Sequence, residues 1–195
     1  LIKEERHTAS RSKAKAEGAW QAVPDKRPVI AMLFTGMLLM FANMSIEPII
    51  TVYVAQLVED QSRVTLVAGV VMSAAALGSI VSASRLGRLA DRVGHWNVVT
   101  VALAVAALLL VPQAFVTESW QLVALRFLMG LALGGLLPSI TSVIRHNVPD
   151  RVGGNVLGYS ISAQYVGQVA GPVLGGFVGG HLGMPAVFLG TSVLM

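Results

Sequence analysis

A chain that alternates long apolar stretches with short charged connections has few folds open to it. Between apolar runs 64–86 and 98–111 stands Gly87-Arg88-Leu89-Ala90-Asp91-Arg92-Val93-Gly94. Arginine and aspartate are costly in hydrocarbon, so this charged turn is expected where the chain leaves a membrane and at once re-enters it. Six apolar segments follow one another in all: 29–58, 64–86, 98–116, 122–144, 156–180 and 184–195. A helix needs roughly 20 residues to cross a bilayer. The separators are short, which predicts antiparallel neighbours in a helical bundle. Barrel strands would be shorter and would alternate in polarity. An all-α membrane protein is expected.

Charge supports that class. Charged residues make up 12% of the chain and hydrophobic ones 54%, against about 25% charged in an ordinary soluble domain. The net charge of +4 is not gathered on one soluble face, so no nucleic-acid partner is expected. Lysine and arginine instead mark sides: seven fall in residues 1–28, three at Arg85, Arg88 and Arg92, and two at Arg145 and Arg151. The opposite connections hold only Arg63. By the positive-inside rule, residues 1–28 and the connections 85–97 and 145–155 are expected in the cytoplasm of a multi-pass inner-membrane protein. Residues 1–28, rich in both signs of charge, are expected to be a mostly flexible linker. They are too long and mixed in sign for a signal peptide.

Several chemistries are absent from the sequence. There is no cysteine, and His7, His95, His146 and His181 stand in separate loops without ligand spacing. No nucleophilic triad or phosphate-cradling loop is present, so neither enzyme activity, a metal nor a cofactor is expected.

The pattern Gly-x-Leu-Ala-Asp-Arg-x-Gly at Gly87, Leu89, Asp91, Arg92 and Gly94 resembles the loop between the second and third helices of each half of a major facilitator superfamily transporter. The resemblance implies that Asp91 contacts a helix N-terminus across the interface between halves, as part of a conformational switch. A carboxylate is favourable at such an end because of its unpaired N–H groups and partial positive charge. The family pattern usually continues with basic residues, where this chain has His95 and Trp96. Arg126, in Leu122-x3-Arg126-x2-Met129-Gly130, resembles the fourth-helix arginine of drug:proton antiporters, which is associated with proton movement; Met129 stands where glutamine is common. Snorkelling to the nearby membrane surface is the competing reading of Arg126.

Gly158, Gly167, Gly171, Pro172, Gly175 and Gly176 match Gly-x8-Gly-x3-Gly-Pro-x2-Gly-Gly, which resembles the antiporter motif of the fifth helix. Gly167, Gly171 and Gly175 recur every four residues and so expose one backbone face for close packing. Residues 29–195 resemble the second half of a multidrug-efflux member of the superfamily. The expected architecture is one six-helix half of a twelve-helix bundle, helices seven to twelve with the last incomplete. Leu1 at one end and an unflanked apolar run at the other fit a fragment whose N-terminal half is missing.

Glu47 precedes Pro48 inside the first apolar segment. A carboxylate at membrane depth is a functional candidate, for a proton or a cationic substrate, unless it reaches the aqueous mouth. Asn43, Tyr53, Gln164, Tyr165 and Gln168 are candidates to line a cavity, or to make hydrogen bonds between helices. The resemblance implies proton-coupled efflux of small amphipathic compounds, lipophilic ones and cations included, across the bilayer by alternating access. Transport of a sugar or metabolite and a non-transporting membrane scaffold are the alternatives.

Overall fold

The computed structural model describes residues 20–195. From Lys26 onward the described residues form seven α-helices and one 3₁₀ turn, with no strand among them. They are α1 (Lys26–Leu57), α2 (Val64–Val93), α3 (His95–Gln113), α4 (Ser119–Leu133), α5 (Leu136–His146), α6 (Asp150–Leu182) and α7 (Met184–Leu194), with the 3₁₀ turn at Gln61–Arg63. Four stretches are long and apolar enough to cross a membrane: α1, the 3₁₀ turn with α2, α3, and α4 with α5. At 33 residues α6 has the length, but its glycines and Gln164 and Gln168 dilute its hydropathy.

The helices outrun the apolar runs because polar residues end a membrane span without ending a helix. Asp25 caps α1 by accepting from the Arg27 N–H at 3.0 Å, and Pro28 sits in the first turn, where its missing N–H costs nothing. The first helix therefore starts at Lys26 rather than at residue 29. Of the expected linker, residues 1–19 lie outside the described residues; Val23 is 3% exposed, and Trp20 meets Tyr159 edge-on at 6.3 Å.

The stretch 87–94 is not the turn that its charges suggested. Helix α2 continues unbroken through Arg88, Asp91 and Arg92 to Val93, and the chain reverses at Gly94 alone. Gly94 has φ 93°, a left-handed value that a side chain would strain. Arginine, leucine and alanine are good helix formers, so nothing before Gly94 stops the helix.

The fourth apolar segment departs in the opposite sense. One helix over 122–144 was expected, whereas α4 ends at Leu133 and α5 begins at Leu136. Pro138 has no N–H and crowds the carbonyl four residues earlier, that of Gly134, so the break falls at Gly134–Gly135. The start of α4 is held by a capping box in which Gln121 Oε1 accepts from the Glu118 N–H at 3.4 Å.

Sequence neighbours are not the main packing partners, contrary to the expectation from short connections. The two most extensive helix contacts join α1 to α6 and α2 to α4, and both pairs run parallel. A Cβ built on Gly167 would strike the Met37 carbonyl oxygen, and one on Gly175 the Ser45 carbonyl oxygen. A Cβ on Gly171 would lie 2.7 Å from the Phe41 oxygen. In lipid, hydrophobicity gives no preference among helices, so small residues that admit a neighbouring backbone decide who packs with whom. Short loops only limit how far apart the ends may be.

Candidate functional site

Helices α1, α2 and α4 line an open cavity of about 230 Å³, with Met40, Asn43, Met44, Glu47, Ile50, Met72, Ala75 and Arg126 on its walls. On α1, positions 40, 43, 44, 47 and 50 recur at helical spacing and so share one face. Pro48 lies within α1 without interrupting it. Having no N–H, it leaves the Met44 carbonyl without its usual intrahelical donor. Asn43 Nδ2 donates to the Leu39 carbonyl at 3.0 Å.

Arg126 enters from α4 and is 6% exposed. Its Nε and Nη2 groups are buried without a hydrogen-bond partner among the described residues. A buried donor left unpaired costs about 1–3 kcal/mol, and more when charged. The guanidinium carbon stands 5.9 Å from the ring centroid of Phe188 on α7, a cation–π distance worth about 2 kcal/mol when desolvated. The ion pairs among the described residues are Arg63–Asp60 and His95–Asp91. Glu47 and Arg126 thus share the cavity without closing on each other. The walls around them are three methionines, Ile50, Ala75 and Asn43, and thioethers adapt to irregular shapes.

The remaining sequence candidates are dispersed. Tyr53 is a core residue, 5% exposed, whose hydroxyl donates to the carbonyls of Gln113 at 3.1 Å and Val116 at 3.3 Å. Gln164 donates to Ser160 Oγ at 3.3 Å, while Tyr165 and Gln168 are exposed on α6. None of the four lines the cavity that holds Glu47. Among the glycines of α6, Gly167, Gly171 and Gly175 press on α1, whereas Gly158 and Gly176 have nothing within 4 Å of an added Cβ. Asp91 is 71% exposed in its side chain and meets His95 Nε2 at 3.6 Å across the reversal at Gly94.

Three features escaped the sequence. Met40, Met44 and Met72 looked like ordinary span residues, though the first two share the i, i+4 spacing of the Asn43–Glu47 pair. Gly78, Ser79 and Ser82 form the seat for α4: Ser79 Oγ donates to the Gly130 carbonyl at 3.2 Å and Ser82 Oγ at 3.4 Å. His95 and His146, expected to stand apart, lie with ring centroids 6.0 Å from each other, because α3 begins beside the end of α5. No metal-holding group of three ligands accompanies them among the described residues.

The Major Facilitator Superfamily model matches this sequence twice, over residues 1–117 and 32–195. The chain belongs to that superfamily. It is 36% identical over 171 residues to the multidrug resistance protein MdtG of Salmonella typhimurium, an alignment covering 88% of this chain and 42% of that protein. The MdtG of Enterobacter lignolyticus is 36% identical over 167 residues, 86% of this chain and 40% of its own. That of Salmonella arizonae is 35% identical over 171 residues, 88% of this chain and 42% of its own. The chain thus spans about two fifths of the length of the curated relatives it matches. Residues 87–93 form the end of α2, with Gly94 as the reversal.

Proposed function

We propose that this chain is the C-terminal half of a proton-coupled exporter of small amphipathic compounds. The observation that carries the reading is the cavity in which Glu47 and the buried Arg126 face methionine walls. A carboxylate and a guanidinium held apart at membrane depth are expensive unless they serve a substrate or an ion. Methionine walls suit ligands of varied shape. The names of the relatives, multidrug resistance proteins, point to the same class of substrate.

In this reading substrate binds between two halves near the bilayer midplane, and rocking of the halves alternates access. The missing N-terminal half completes the cavity. Asp91 and Arg92 belong to the switch at the cytoplasmic end of α2, and α6 with Pro172 is the element along which α1 shifts. Lys26, Arg27, Arg85, Arg88, Arg92, Arg145 and Arg151 all belong to one end of the bundle and support a cytoplasmic assignment for residues 1–28, 85–97 and 145–155. The test is proton release on addition of a lipophilic cation to the full-length protein in proteoliposomes. Release in step with efflux is expected. Transport without proton movement points to a uniporter or importer, and no transport to a scaffold.

A further inference from the structure

The end of α2 carries a second feature that the cavity does not use. Arg85, Arg88 and Arg92 follow at i, i+3 and i+7 and share one face of the helix. With Leu89 they line a hollow of about 280 Å³. Leu89 is at the same time a wall of an apolar trough of about 210 Å³ between α2 and α3. Leu86, Val93, Val98, Val101 and Val105 line that trough, and apart from Asn97 every side chain in it is aliphatic. From Asn97 to Val105 it follows α3 for about 12 Å at 1.5 Å per residue, within a leaflet about 15 Å deep. Basic hollow and apolar trough therefore adjoin, with Leu89 as a wall of both.

Among the described residues, no ion pair compensates the charges in the hollow. Arg85 Nη1 donates to the Val81 carbonyl and Arg88 Nε to the Ser84 carbonyl, each at 3.3 Å. A guanidinium has five N–H donors, so each retains several. Neither ion pair among the described residues involves Arg85, Arg88 or Arg92, and the nearby Asp91 is turned to His95. A soluble anion would match the hollow but leave the trough unused, and a neutral lipid the reverse. An amphiphile with an anionic head fits both.

We propose that the α2–α3 groove binds an anionic phospholipid, its phosphate on Arg85, Arg88 and Arg92 and one acyl chain along Val98, Val101 and Val105. Basic clusters where membrane helices meet the surface attract anionic headgroups, and the trough adds hydrocarbon contact that a free phosphate cannot make.

The test is native mass spectrometry of the full-length protein, incubated with equal amounts of phosphatidylglycerol and phosphatidylethanolamine of identical acyl chains. The wild type should retain phosphatidylglycerol preferentially. Arg85→Gln with Arg88→Gln should weaken that retention about thirty-fold, while Arg85→Lys with Arg88→Lys should keep the preference. Val101→Trp, which fills the trough, should reduce retention of both lipids. Equal retention of the two lipids by the wild type overturns the proposal. So does an unchanged preference in the glutamine variant, or displacement of bound lipid by millimolar inorganic phosphate. The lysine variant shows that loss in the glutamine one comes from charge and not from misfolding; its failure to retain the lipid also counts against the site.

Discussion

Gly78 of α2 and Gly130 of α4 interlock: the Gly130 carbonyl carbon lies 3.2 Å from where a Cβ on Gly78 would stand. In return, a Cβ on Gly130 would lie 3.0 Å from the Ser79 nitrogen and run into the Ala75 carbonyl oxygen. The helices approach here as backbones, and Ser79 and Ser82 add hydroxyl donors to the Gly130 carbonyl. This contact also sets where Arg126, one turn earlier on α4, enters the cavity.

Gly78→Ala should therefore destabilise the bundle by about 1–3 kcal/mol, the usual cost of overpacking. Ser79→Ala should cost about 0.6 kcal/mol, the average for one interhelical hydrogen bond in a membrane. Gly69→Ala is the control, since nothing lies within 4 Å of its added Cβ, and it should stabilise by about 0.5–1 kcal/mol through helix propensity. Thermal unfolding of the full-length protein in detergent ranks the three. A Gly78→Ala variant as stable as Gly69→Ala contradicts the close contact.

On α6, Gly171→Leu and Pro172→Ala should differ in kind. The leucine would have to enter a site where even a Cβ lies 2.7 Å from the Phe41 oxygen and 2.9 Å from Met44 Cβ. Low yield or misassembly is expected. Alanine at 172 restores an N–H to a helix that is already continuous, so yield should hold while transport coupling changes. Gly158→Ala and Gly176→Ala should fold normally. If Pro172→Ala fails to assemble as Gly171→Leu does, the stretch serves packing alone.

How much of this was legible beforehand differs from residue to residue. Four of the six expected spans were legible because hydropathy needs only composition, and the four-residue recurrence of Gly167, Gly171 and Gly175 marked a contact face. Which helix would meet that face was not, since a glycine stripe specifies closeness and not a partner. Hydropathy passes through Pro138 without notice, so the break at Gly134–Gly135 was missed. The charges of Arg88, Asp91 and Arg92 suggest a turn in the sequence because leaving hydrocarbon and leaving a helix look alike there. Glu47 and Arg126 each stood out as buried charges; that they share one cavity depended on the parallel pairing of α2 with α4.

Asp60 shows a proton-linked effect outside the membrane. The Ser62 hydroxyl donates to it at 2.6 Å and the Ser62 N–H at 3.0 Å, with Arg63 at 3.2 Å. These contacts, the hydroxyl first, hold its carboxyl below the ordinary value of 3.8. A lowered folded value means that the stabilisation is present above the unfolded value and is lost as pH falls through the folded one. Carboxyl NMR should therefore give a midpoint under 3.8, moving up towards that value in Ser62→Ala. A midpoint unmoved by Ser62→Ala removes the hydroxyl as the cause.

Asp91→Asn should impair transport while leaving expression intact. Its side chain is 71% exposed and its ion-pair partner among the described residues is His95, so little of this half's stability rests on it. Contact with a helix N-terminus of the other half would be worth about 0.3–1 kcal/mol, enough to bias a two-state switch. His95→Ala, which frees the carboxylate, should leave transport nearer to wild type than Asp91→Asn does. Efflux from vesicles at matched protein levels compares them. Unchanged efflux in Asp91→Asn disposes of the switch contact.

Glu47→Gln decides whether the cavity couples protons or only holds substrate. Glutamine keeps the shape of the protonated carboxyl but can neither gain nor lose a proton. It also removes the negative charge that shares the cavity with Arg126, so some loss of stability is expected, because an uncompensated buried charge is costly. Glu47→Gln combined with Arg126→Gln removes both charges and should recover that stability, which separates folding from function. If Glu47 carries the proton, the single variant should exchange labelled substrate down its gradient at close to the wild-type rate. It should at the same time lose accumulation driven by a pH gradient. If the carboxylate instead neutralises cationic substrates, affinity for cations should fall by about ten-fold or more, at 1.4 kcal/mol per factor of ten. Neutral substrates would then remain proton-driven. Wild-type behaviour in both assays would leave Glu47 a bystander in the cavity, and coupling would have to reside at Arg126 or in the N-terminal half.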